Sequence, residues 1–167
     1  MNRLIATSVF LVLVVIPSAA QEPLSAYKSR ALAELAELNR TAIEAASKKA
    51  DPGKDYDLNG TDPYYSVVQL QFQGAARPIG EGRKKLIGNW VKSLKLDRKI
   101  TESYVNELKF SEGNEEYWIG IPNNLISSIA GKVKKGESVS LYLPYAGSFK
   151  PKDGNRFEPV LIITAIQ

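Results

Sequence analysis

The sequence predicts an α+β fold: an N-terminal helix, then a small antiparallel β-barrel or sheet with a short helix between hairpins. Three patterns predict it. Residues 22–50 are dense in Ala, Leu, Glu, Lys and Arg, all good helix formers. Residues 68–73, 117–121 and 139–143 alternate apolar with other side chains at the strand period. Between them Leu86, Ile87, Trp90, Val91 and Leu94 recur at the spacing of an amphipathic helix.

The chain opens Met1-Asn2-Arg3, continues apolar from Leu4 to Ile16, and then reads Pro17-Ser18-Ala19-Ala20. A basic start, a short greasy run and small residues at 18 and 20 are the pattern of a secretory signal peptide cleaved after Ala20. The run is shorter than the roughly 20 residues a spanning helix needs, and no second one follows. The expectation is a secreted or periplasmic protein with no transmembrane segment in its mature chain. Residues 1–20 are thus read as the signal, 21–53 as a helical segment and 54–167 as an α+β domain, β-rich over 101–167.

The first helix covers 22–50. Pro23 suits its opening turn, the stripe Leu24, Ala31, Leu35, Leu38, Ala42 and Ala45 gives a thin apolar face, and Asp51-Pro52-Gly53 stops it. In Tyr64–Gln73 the alternation of Val68, Leu70 and Phe72 with glutamines favours a strand, although Asp62-Pro63 and Gly74 would also bracket a helix. Gly80–Leu96 is an amphipathic helix. Tyr104–Phe110 and Glu116–Ile121 form a hairpin about Ser111–Asn114, and a short helix from Asn123 to about Val133 follows. Ser138–Tyr145 is a strand, and Pro159–Ile166, apolar on both faces, is a central one.

A hairpin, a short helix and a second hairpin resemble the β–α–β portion of an OB-type barrel. The resemblance is carried by Glu116–Ile121, Asn123–Val133 and Glu137–Leu143. The overall character is similar to that of uncharacterised exported bacterial proteins. The resemblance implies a small closed barrel and no particular ligand.

Composition removes whole classes of chemistry. The chain has no cysteine and no histidine. Thiolate nucleophiles, thiolate or imidazole metal sites, histidine general bases and a lipid-modified cysteine at the cleavage site are therefore absent. Disulfides are absent too, and a chain of 167 residues can bury a core without them. The expectation is a non-enzymatic binding or envelope-associated module with no cofactor.

The net charge of +4 is concentrated. Between Ala76 and Ile100 stand Arg77, Arg83, Lys84, Lys85, Lys92, Lys95, Arg98 and Lys99 against only Glu81 and Asp97. Such a segment suits an anionic partner: an envelope surface, an acidic glycan or an acidic protein, with nucleic acid disfavoured by export. The candidate basic patch is Arg83, Lys84, Lys85, Lys92, Lys95, Arg98 and Lys99. Trp118 and Tyr142 are candidate surface aromatics for stacking, set against the commoner reading of cross-strand packing.

Three further motifs point elsewhere. Asp55-Tyr56-Asp57-Leu58-Asn59-Gly60 matches the first half of an EF-hand-like loop, so Asp55, Asp57, Asn59 and Asp62 are candidate calcium ligands in a calcium-stabilised domain. The loop's twelfth position is Ser66, where a bidentate glutamate is needed. Ser25-Ala26-Tyr27-Lys28 matches S-x-x-K without the companion motifs of penicillin-recognising enzymes. Glu107 and Glu116 lie on facing hairpin strands, which keeps open a carboxylate-dependent hydrolase of envelope glycans.

Overall fold

Two open sheets organise the computed structural model, which describes residues 23–167. The signal-peptide reading of residues 1–20 lies outside the described residues. In chain order the elements are β1 (Lys28–Ser29), α1 (Leu32–Leu38), α2 (Arg40–Ser47), β2 (Tyr56–Asn59), β3 (Ser66–Pro78), α3 (Glu81–Ser93) and α4 (Lys99–Ser103). Then come β4 (Tyr104–Glu112), β5 (Glu115–Pro122), α5 (Asn123–Ala130), β6 (Ser138–Leu143), β7 (Tyr145–Lys150), β8 (Glu158–Leu161) and β9 (Ala165–Ile166). The large sheet runs β5-β4-β3-β6-β9, with β1 joining β3 in a short parallel pair, and the small sheet runs β2-β7-β8.

The α+β class holds, but there is no closed barrel and the OB resemblance fails. The break comes at Pro144. β6 pairs with β3 on one side and β9 on the other. Beyond Pro144 the chain leaves that sheet, and β7 pairs with β2 and β8. The expected central strand over 159–166 is divided the same way: Glu158–Leu161 joins the small sheet and Ala165–Ile166 the large one, with Ile162 and Ile163 fully buried at the crossing. An isolated bridge from Gly120 to Ile162 joins the β5 backbone to this crossing.

The continuous helix over 22–50 is also corrected. Leu24–Ala26 is one 3-10 turn, and Lys28 and Arg30 donate their amides to Tyr65 O (3.0 Å) and Val67 O (3.1 Å). Sheet pairing thus overrides helix propensity. The remainder breaks at Asn39, whose amide side chain donates to Leu35 O at 2.8 Å. Glu112 caps the start of α1 from another element, accepting from the Leu32 amide at 2.9 Å. Leu32 and Leu35 are buried, whereas Leu38, expected in the stripe, is 47% exposed.

β3 is the strand that the glutamine alternation favours, and it runs five residues further, to Pro78. Ser66, Val68, Leu70 and Phe72 are buried, while Gln69 and Gln71 face solvent. Its register against β4 slips between Phe72 and Ala76, where Gly74 adopts φ +70°. That bulge bends the strand. One core packs Val68, Leu70, Phe110, Ile119 and Leu141 of the large sheet against α1 and α5. A second packs Leu86, Ile87, Trp90 and Val91 of α3 against Phe149, Val160, Ile162 and Tyr104. No described helix is long and apolar enough to cross a membrane.

Tyr104 closes the second core. Its hydroxyl donates to Ile163 O at 2.9 Å, and complete burial pushes its pKa well above the usual tyrosine value. Burial raises Tyr145 as well. A raised folded-state pKa contributes stability that is complete below the unfolded tyrosine value and is lost as pH climbs above it. The urea midpoint is therefore expected to hold up to about pH 10 and to fall beyond it. Tyr104→Phe should flatten that fall, and a slope identical in the variant would remove Tyr104 as its source.

Candidate functional site

The seven cations of the candidate patch do not share one surface. Arg83 is 5% exposed and points inward from α3. Its Nε donates to Glu107 Oε1 at 2.6 Å, Nη1 to Glu158 Oε2 at 3.1 Å, and Nη2 to the carbonyls of Trp118 at 2.8 Å and Pro159 at 3.2 Å. Arg77 holds the other Glu107 oxygen at 2.8 Å. Arg83 falls on the face that carries Leu86, Ile87 and Trp90, and the folded chain supplies carboxylates there. It is a structural cation, and its reading as a surface-binding residue is corrected.

Lys85 points toward the small sheet. Its ammonium meets Asp57 at 2.6 Å, and that hydrogen bond raises its pKa. Lys99 is exposed at the start of α4. The remaining four, Lys84, Lys92, Lys95 and Arg98, line one open trough of about 620 Å³ between α3 and α4. Lys84, Gly88 and Lys92 follow one another at successive turns, so they form a row. At Gly88 the two helices come close: a Cβ there would lie 3.5 Å from the Thr101 methyl group of α4, an ordinary packing distance. Val91 and Leu96 contribute apolar lining, and Glu102 is the one carboxylate lining the trough, 3.8 Å from Arg98. Leu94, expected on the buried face of the helix, is 36% exposed at its C-cap. Lys95 follows it with φ +56°.

Trp118 and Tyr142 do not form one aromatic surface. They lie on β5 and β6, with β4 and β3 between them, and the register offsets them along the strands as well, so they are roughly 20 Å or more apart. The Tyr142 ring meets Tyr27 edge-on at 5.2 Å, and its hydroxyl donates to Gln167 at 3.3 Å, so cross-strand packing accounts for it. Trp118 carries the Arg77 guanidinium 4.2 Å over its ring and the Lys109 ammonium at 5.8 Å.

Trp118 also borders a second cleft, of about 390 Å³, that the sequence pattern did not reveal. Its other walls are Tyr117 and Glu115 of β5, Ala33 and Ala36 of α1, and Arg156 and Phe157 ahead of β8. Tyr117 reads as an ordinary sheet aromatic, and no periodicity marks the turn-rich stretch that carries Arg156 and Phe157. Burial raises the Tyr117 pKa first, and the nearby carboxylates of Glu112 and Glu115 add to it.

The calcium half-loop is drawn out as β2. Asp55 accepts from the Lys152 amide at 2.7 Å, Asp57 holds Lys85, Asp62 accepts from the Tyr64 amide at 2.8 Å, and Asn59 pairs with Gly147. The three aspartate side chains are thus spent on separate partners, and Asn59 is held in the ladder through its backbone. Among the described residues no group of three or more His, Cys, Asp or Glu side chains is placed to hold a metal ion. The other motifs separate as well. Ser25 sits in a 3-10 turn and Lys28 in β1, so no helix brings them together. Glu107 pairs with Gly120 and Glu116 with Ser111, four residues apart along the hairpin, or about 13 Å. Glu107 is closed between two arginines and Glu116 pairs with Lys109, so the two carboxylates do not share a cleft. The chain matches no model of a known protein family, no curated protein and no solved structure.

Proposed function

We propose that this chain is an exported, non-enzymatic binding module that docks on an anionic phospholipid surface through the trough between α3 and α4. The observation that carries the reading is the convergence of Lys84, Lys92, Lys95 and Arg98 on one open trough that Glu102 alone opposes. Leu94, 36% exposed beside Lys95 at the end of α3, offers an apolar side chain to such a surface. Export rests on the pattern of residues 1–20, and the absence of cysteine and histidine supports a non-enzymatic role.

Each cation near an anionic leaflet contributes about 1 kcal/mol, so the four together contribute roughly 4 kcal/mol at low salt. Changing all four to glutamine is expected to lower partitioning onto phosphatidylglycerol vesicles by about two to three orders of magnitude. Phosphatidylcholine vesicles serve as the blank. The pair Lys85→Gln and Lys99→Gln, outside the trough, should change partitioning far less. Equal vesicle binding by the quadruple variant and the unaltered protein would sink the proposal. The export half has its own check: mass spectrometry of the processed chain should find Gln21 first.

A further inference from the structure

The second cleft follows an unfinished sheet edge. β5 is the outer strand of the large sheet, and alternate residues turn their backbone groups away from β4. Trp118 and Gly120 identify the outward set, since Trp118 O accepts from Arg83 and Gly120 O accepts from the Ile163 amide at 2.8 Å. Glu116 shares that parity. Its N–H and C=O, and the N–H of Trp118, find no backbone or side-chain partner among the described residues. Glu116 and Trp118, which carry these three groups, both line the cleft.

We propose that this edge binds a short extended peptide, which adds to the large sheet as a strand antiparallel to β5. One peptide residue opposite Glu116 would exchange two hydrogen bonds with it, and a carbonyl two residues earlier would accept from the Trp118 amide. Arg83 on Trp118 O and Ile163 on Gly120 O end the edge there, so only three or four peptide residues are accommodated. The walls supply room for side chains. Ala33 and Ala36 present exposed small groups from α1, with the rings of Tyr117 and Phe157 nearby, which suits aliphatic side chains. The volume falls within the range of ligand pockets. A second copy of this chain fits poorly, because α1 on one side and the segment before β8 on the other stand where its sheet would approach.

The test is an NMR titration of the ¹⁵N-labelled full chain with the blocked tetrapeptide acetyl-Thr-Leu-Val-Thr-amide up to about 10 mM. Backbone recognition tolerates sequence, so a Kd of about 1 mM is expected, with the Glu116 and Trp118 amides shifting saturably. Fully N-methylated peptide should bind at least tenfold more weakly. Two protein variants probe the edge and the wall separately. Glu116→Pro deletes an outward N–H that the β4 ladder does not use, which a strand edge tolerates. Ala36→Trp fills the cleft from α1. Each should weaken binding about tenfold or more.

Three results would overturn the proposal. One is the absence of saturable shifts at these two amides. Another is equal binding by the N-methylated peptide, a readout on the unaltered protein that stands even if a variant misfolds. The third is concentration-dependent broadening of the same amides without peptide, which would assign the edge to self-association.

Discussion

Glu107→Ala is expected to cost about 3–5 kcal/mol of folding stability, the range for removing one partner of a buried ion pair. Glu107 is 1% exposed, and its two oxygens are held by Arg77 and Arg83. Without it, Arg83 stays in the interior with one carboxylate, Glu158, whose side chain is 43% exposed. The penalty is mostly the buried guanidinium left without its nearer carboxylate. A double change to Arg83→Met and Glu107→Leu should therefore be less damaging than Glu107→Ala, because it removes the stranded charge along with its partner. Urea unfolding with a shared m value measures both. A loss under about 1 kcal/mol for Glu107→Ala would mean that the buried network contributes little to holding α3 against the sheets.

Gly147→Ala is expected to be comparably damaging, at about 3 kcal/mol or more. Gly147 lies in β7 at φ +148°, a conformation side-chain-bearing residues rarely adopt. A Cβ there would collide with the Leu58 carbonyl oxygen of β2 and would come within 2.9 Å of the Leu86 side chain. The backbone oxygen cannot step aside without breaking the β2–β7 pairing. The comparison is Gly113→Ala in the β4–β5 turn, at φ +58° with open space around it, where only backbone strain of about 1–2 kcal/mol is expected. Similar losses at both positions would show that crowding at Gly147 is relieved by local movement.

Local pattern explains which parts of this fold are readable from sequence. The alternation of Val68, Leu70 and Phe72 places β3, and the spacing of Leu86, Ile87, Trp90 and Val91 places the buried side of α3. The β4–β5 hairpin follows from alternation plus a Gly-Asn turn. What escapes depends on partners distant in sequence. The helix over 22–50 breaks because Tyr65 and Val67 capture the backbone of Lys28 and Arg30. The expected barrel opens because Pro144 directs the next strand toward β2, more than eighty residues earlier.

The candidate site shows the same division. Lys84, Lys92, Lys95 and Arg98 line the trough, all within the segment where the charge count is highest. Arg83 does not, because a basic residue on a helix reads as solvated until the buried Glu107 opposite it is known. The cleft beside β5 is invisible for a related reason. It consists of backbone groups with no partner, and no side-chain pattern encodes that.

The two sheets take their strands from the chain in turns. The large one uses β1, the small one β2, the large one β3 to β6, the small one β7 and β8, and the large one β9. No single cut in the described chain therefore leaves two pieces that each retain a whole sheet. A protease nick in the loop between β7 and β8 should leave fragments that stay associated under native conditions and do not refold when separated. Unfolding should proceed in one step by every probe, because neither sheet can outlive the other.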